Sequence, residues 1–167
     1  ELNQVTLLGL KEPEFNFADK NTFITATLKC VEYLNYTTDR LSRVPTSIII
    51  AMAGIESGWG TSRFAQEGNA LFGVRTWDDN TPQMKAKGNP DAEWGVKKYK
   101  TKCESVKDMI ATINRHRAYK EFREEREDQI DDGKWDYRRL MVRMSAWSTN
   151  PDYHEIVLQA IVDSKLP

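Results

Sequence analysis

Glu56 is the only charged residue in the run IIIAMAGIESGWG, residues 48 to 60. On a helix it shares a face with Ile49, Met52 and Ala53, so apolar groups border its path to solvent. Desolvation disfavours the carboxylate, and the unpaired carbonyls of a helix's last turn disfavour it further; both push the pKa up. Helix stability gives no reason for an acid there, where Lys, Arg or Asn is favoured, and Gly58 and Gly60 mark a tight backbone path beside it. Trp59 is expected to supply an apolar wall. An acid that keeps its proton beside an indole suits protonation of a glycosidic oxygen, the arrangement known from lysozyme's catalytic glutamate. The plainer reading of Glu56 is an exposed glutamate on a frayed helix end.

Other reactive side chains are sparse. The two histidines, His116 and His154, stand far apart with no third ligand spaced as a zinc site needs, so no metal and no cofactor are expected. Cys30 and Cys103 lack a CxxC or Cys/His pattern and read first as small buried apolar residues, a single disulfide being the alternative.

The elements that must position Glu56 are mostly helical. Phe23, Thr27, Cys30, Val31 and Leu34 recur at helical spacing and predict a first helix over about 20–36. Pro45 opens a segment apolar nearly all round, a central buried helix over 45–56, which Gly58 and Gly60 end. TSRFAQEG predicts a short helix. NALFGVRTW and WGVKKYKT predict strands, separated by a turn-rich arm, DDNTPQMKAKGNPDAE. Beyond 102 the pattern is helical again, with a phase break near Ala118, and the last helix opens at Asn150 and Pro151. Residues 1–18 predict an extended arm pinned by Phe15 and Phe17. The alternating charges of RHRAYKEFREERED predict a solvated helix face.

At 167 residues and 40% apolar content the chain fits one compact α+β domain, residues 1–167, with a small β-lobe over about 69–101. Its 24 basic and 25 acidic residues, net charge -1, give no reason to expect nucleic acid or an anionic membrane as partner. No apolar run approaches a membrane span, the longest, near Ile48 to Ile55, being far too short; the chain is expected to be soluble. It begins at Glu1 without a leader, as expected of a processed product or a piece of a longer chain.

Three ordered blocks resemble the bacterial glucosaminidase domains of glycoside hydrolase family 73, most closely their Bax-like branch. AGIESGWGTSRFAQEGNALFGVRTW is similar to the family's ESGWG(T/S) helix end followed by N-x-LFG, with Glu56, Asn69, Leu71, Phe72 and Gly73 as counterparts. KKYKTKCESVKDMIATINRHRAYKEFREER resembles a strand ending at an aromatic, a helix, an Asn and an HRAYxxxR segment, here Tyr99, Asn114, His116, Arg117, Ala118, Tyr119 and Arg123. WSTNPDYHEIV is similar to YATDPxYxxKI, matching at Thr149, Pro151 and Tyr153 but with Trp147 in place of the first tyrosine. The resemblance implies a lysozyme-like fold, a helical lobe and a small β-hairpin lobe flanking a cleft, and hydrolysis of the β-1,4 bond after N-acetylglucosamine in peptidoglycan glycan strands. It also implies action outside the cytoplasm, in the periplasm, cell envelope or a phage particle, within a larger multidomain chain or a phage or secretion assembly.

On that resemblance Glu56 is the general acid. The second carboxylate is assigned to Glu93, with Asp91 as the alternative; an inverting geometry would hold the pair about 6.5 to 9.5 Å apart, and without it the substrate's N-acetyl group could serve as nucleophile. Asn69, Phe72, Trp147 and Tyr153 are assigned to substrate binding, Phe72 and Tyr153 reading equally as core residues. Trp77 and Trp94 flank the arm as a sugar platform or a brace. Two other readings stand beside this one: a lytic transglycosylase or muramidase on the same scaffold, and a non-catalytic glycan-binding or structural module.

Overall fold

Helix α2, Thr46–Ser57, runs through the middle of the molecule with Ile48, Ile49, Ala51, Met52 and Ala53 wholly buried. A segment apolar on every side has no face to give to water, so other helices must surround it. The two that do are α1, Lys20–Asn35, and α7, Tyr153–Asp163. The structure is a computed structural model and describes residues 10–167.

Around this centre lie α4, Lys102–Arg115, which packs on α1 and on α5, Lys120–Asp132, and then α6, Tyr137–Met141, continuing into a tight helical turn over Val142–Trp147. The phase break expected near Ala118 is a tight turn over Arg117–Tyr119. Helix α7 is counted from Tyr153, and Asn150 heads it from a preceding turn, its Oδ1 accepting from the Asp152 N–H at 2.9 Å. Phe15, Phe17 and Phe23 form an edge-to-face cluster that pins the irregular segment leading into α1. The remainder of the expected arm, residues 1–9, lies outside the described residues.

The short helix α3, Arg63–Gly68, leads to a three-stranded antiparallel sheet ordered β1-β3-β2. Its strands are β1, Arg75–Thr76, β2, Gln83–Met84, and β3, Gly95–Lys97, with Arg75 opposite Val96 and Gln83 opposite Lys97. Strands this short have few ladder bonds, and side-chain bonds fix the lobe to the helices. Tyr99 Oη donates to Asp108 Oδ2 on α4 at 2.6 Å, and Lys97 Nζ donates to the same oxygen at 3.2 Å. Burial, then the Asp108 carboxylate, push the Tyr99 phenol well above its ordinary pKa, so it stays a donor.

Two expectations are corrected. The charged face of α5 is only partly solvated: Glu125 and Arg126 are buried, and Glu125 accepts from Gln129 and pairs with Arg139 at 2.8 Å. A buried charge is costly unless it is paired or hydrogen-bonded: α6 supplies the pair for Glu125, and Arg126 donates to the Arg43 carbonyl at 3.2 Å. Cys30 of α1 and Cys103 in the first turn of α4 are joined as a disulfide, with Cα atoms 5.6 Å apart.

That bond closes a loop with a sequence separation of 73, worth about 4 kcal/mol in the chain-entropy account. Replacing both cysteines by serine is expected to lower Tm by roughly 10 °C, and reductant should bring the parent to the same value. A Tm that moves under neither treatment would show that the cross-link stabilises nothing.

Candidate active site

The sequence ESGWGT makes one sharp exit from α2. Gly58, Trp59 and Gly60 are three consecutive residues with positive φ, at 59°, 55° and 86°. Ser57 Oγ donates to the Ala53 carbonyl at 2.6 Å and accepts from the Gly60 N–H at 2.9 Å, while the Trp59 N–H returns to the Gly54 carbonyl at 2.8 Å. These bonds, with the Ser62 N–H donating to the Ser57 carbonyl at 2.9 Å, hold the helix end, and Glu56 sits in a last turn with a fixed exit. Trp59 does not wall the acid as expected. Its ring lies over Gly54, where a Cβ would come within 2.4 Å, and packs edge-on against Phe23 beneath Lys20. Two residues before Glu56 is nearly the opposite helix face, so Trp59 anchors the exit from behind.

Glu56 itself is half-buried and faces a cleft of about 730 Å³ between the helices and the β-lobe. Phe72, Gly73, Val74 and Arg75 form one side, with Trp77 at the rim. Thr112, His116, Tyr119 and residues 145–149 form the other. Gly73 turns at φ +62°, and a Cβ there would lie 3.9 Å from Glu56 Oε2. An aromatic contact from Phe72 to Trp147, centroids 6.4 Å apart, joins the two sides, and Trp147 packs on Tyr119 within the helical side at 5.9 Å. Among the described residues Glu56 is the only carboxylate in this lining. A smaller hollow of about 300 Å³ at the head of α2 has no carboxylate in its lining and offers no acid chemistry.

Desolvation raises the pKa of Glu56, and the nearby Tyr153 hydroxyl opposes that rise. Tyr153 is buried behind the acid at the start of α7, and its own pKa is raised by burial first and by the Glu56 charge second. Its hydroxyl has no partner in ordinary hydrogen-bond geometry among the described residues, which leaves it free to donate when Glu56 ionises.

The residues expected at the site divide. Phe72 and Trp147 line the cleft, Phe72 being core as well, and Tyr153 sits directly behind Glu56. Asn69 is outside the lining: its amide donates to the carbonyls of Tyr99 and Lys100 at 3.1 and 3.0 Å and accepts from Lys102 Nζ at 2.9 Å. It clasps the base of the β-lobe. Glu93 and its alternative Asp91 are exposed and stand outside the cleft lining, so among the described residues no second carboxylate joins Glu56 there. Trp77 is at the rim and Trp94 braces Arg75 from below.

Tyr119, His116, Thr112 and Arg75 were not expected as site residues. The HRAYxxxR block held the signal for two of them. Arg123 donates to the carbonyls of Ile113 and His116 at 2.7 and 2.8 Å, closing the end of α4 so that the following turn delivers His116 and Tyr119 to the cleft. Among the described residues no three His, Cys, Asp or Glu side chains gather as a metal site requires, and no helix is long and apolar enough to cross a membrane.

The sequence model of the glucosaminidase family, described as mannosyl-glycoprotein endo-beta-N-acetylglucosaminidase, matches residues 35–166. The chain belongs to the glucosaminidase family. Its Glu56, its cleft and both cleft walls lie inside the matched span. The chain is also similar to Protein bax of Escherichia coli K12, 34% identical over 88 residues that make up 53% of this chain and 30% of that protein. This glucosaminidase-family chain thus matches under a third of that relative's length. The catalytic domain of the autolysin Auto from Listeria monocytogenes superposes with a TM-score of 0.63 at 17% identity, covering 99% of this chain and 93% of the other. At that identity the likeness speaks for the fold, which is the mainly helical, lysozyme-like α+β architecture with a small β-lobe.

An acid whose folded-state pKa exceeds its unfolded value holds more protons folded than unfolded, so stability falls as pH rises through the window beginning near the ordinary carboxylate value of 4.5. Glu56→Gln should therefore unfold about 2 °C above the parent at pH 7, with the difference vanishing below that window. A Tm gap independent of pH would contradict a desolvated acid. In an NMR titration Tyr153→Phe should move the Glu56 pKa further up, since the one opposing group is removed.

Proposed function

We propose that this chain is a peptidoglycan hydrolase that cleaves the β-1,4 bond following N-acetylglucosamine, with Glu56 as general acid and the whole chain acting as one catalytic domain. The observation that carries the reading is a lone, desolvated carboxylate facing an aromatic-walled cleft. Desolvation holds such a group toward its protonated form, from which it can give a proton to the glycosidic oxygen as the C1–O bond breaks. Trp147 offers an apolar face on which a pyranose ring can stack, backed by the buried Tyr119.

The second half of the reaction follows from the single acid. With no second carboxylate in the lining, the 2-acetamido oxygen of the cleaved sugar attacks C1, and water then opens the resulting ring with its proton passing to Glu56. The Tyr153 hydroxyl stabilises the Glu56 carboxylate between those two steps. Family membership supports the glycosidase class, and the likeness to an autolysin of Listeria supports wall glycan as substrate, hence action outside the cytoplasm.

A lytic transglycosylase would also use one acid, and the products separate the two. Digestion of peptidoglycan is expected to yield new N-acetylglucosamine reducing ends; anhydromuramic or muramic acid ends would reject the assignment. Glu56→Gln should lower turnover about 10³-fold while retaining glycan binding, and wall lysis undiminished in that variant would reject the acid. Glu93→Gln is expected to stay within about threefold of the parent, since general base catalysis would cost far more. The alkaline limb of the rate profile should report a pKa above 4.5.

A further inference from the structure

Arg75 opens β1 on the β-lobe side of the cleft. Its guanidinium carbon lies 3.9 Å from the centroid of the Trp94 ring, so the group is held by its face against the indole. Its backbone is paired opposite Val96, which fixes the root of the side chain. Arg75 is solvent-exposed, and among the described residues it forms no ion pair and no side-chain hydrogen bond with the protein. A stacked guanidinium is pre-oriented, and its edge carries donors in a fork that matches a carboxylate.

The rest of the lining favours an anion beside it. Glu56, the one carboxylate there, is held toward its neutral form by desolvation. On the helical side the Ala118 N–H donates to His116 Nδ1 at 3.1 Å, which places the proton of the neutral imidazole on Nε2 as a further donor. Trp77, 65% exposed at the rim two residues from Arg75, offers a platform for the sugar that carries the anionic group.

We infer that Arg75, braced by Trp94, is a carboxylate-recognising subsite that makes this cleft select glycans bearing acidic substituents over neutral N-acetylglucosamine polymers. The inference rests on the glycan-hydrolase reading of the same cleft and adds its selectivity. Two sources present this chemistry on wall glycan: the lactyl carboxylate of muramic acid residues that bear no peptide, and the carboxylates of the peptide where it is attached.

The test compares kcat/KM for the parent, Arg75→Gln and Arg75→Lys on neutral N-acetylglucosamine oligomers, on strands stripped of peptide to free the lactyl carboxylate, and on strands with intact peptide. In Arg75→Gln the preference for charged over neutral substrate should fall roughly tenfold or more, chiefly through KM. Arg75→Lys, which keeps the charge but lacks the fork, should fall between. A drop seen on stripped strands assigns the lactyl group; a drop confined to intact strands assigns the peptide. A preference unchanged in both variants overturns the subsite. Should glutamine disturb the stack on Trp94, the parent's preference must still weaken with added salt, and a salt-independent preference overturns it equally. Calorimetric binding of the same strands to Glu56→Gln and to Glu56→Gln with Arg75→Gln reads the subsite without turnover. If the parent cleaves none of the substrates, the hydrolase reading fails, while Arg75-dependent binding would still uphold the subsite. Cleavage with no Arg75 dependence in either measurement sinks the subsite alone.

Discussion

The desolvation of one carboxylate at the end of α2 is the constraint on which the remainder of the molecule depends. Withholding water from Glu56 is unfavourable for the charged form, so the surrounding structure must keep that position fixed. A helix apolar on all sides does this, because α1 and α7 hold it in place by burying it, and the bonded exit through Ser57, Gly58 and Gly60 prevents the last turn from fraying. Tyr153 adds the polar counterpart: a buried hydroxyl with no hydrogen-bond partner among the described residues, beside the desolvated carboxyl. Destabilisation concentrated where a reaction needs it, and supported elsewhere, is a common pattern in enzymes.

The β-lobe meets the same need differently. Its strands have too few ladder bonds to be rigid alone, and the lobe is located by Tyr99 and Lys97 on Asp108. The disulfide ties α1, which flanks α2, to α4, whose far end supplies Thr112 and His116 to the cleft. Both cleft walls are thus referred to the same buried helix.

Much of this was legible in the residues. The all-round apolar character of 48–55 fixed the central helix, and the glycines after Glu56 marked its end. The acid's raised pKa was expected from apolar spacing, from the helix terminus and from a Trp59 wall; the desolvation that spacing predicts is the cause found, because burial on a helix is periodic. What was not legible depended on tertiary direction. Trp59 is adjacent to Glu56 in sequence, yet a positive φ turns its ring to the far side of the helix, and no period encodes that. Asn69 had the right chemistry for a sugar contact but gives its whole amide to backbone and Lys102. The charges of α5 looked solvated because their partners, Arg139 and the carbonyls at the end of α4, are distant in the pattern. Cys30 and Cys103 were ambiguous for the same reason, as pairing over that separation is decided only when α1 meets α4.

Asn69 and its bonds to Tyr99 and Lys100 bring the chain's departure into the β-lobe and its return against one another. The segment between them is consequently a cassette closed at its base. Lengthening or exchanging it would redraw the reach of the cleft over a bound polymer while the helical core keeps its route, since closing a longer surface loop adds little entropy.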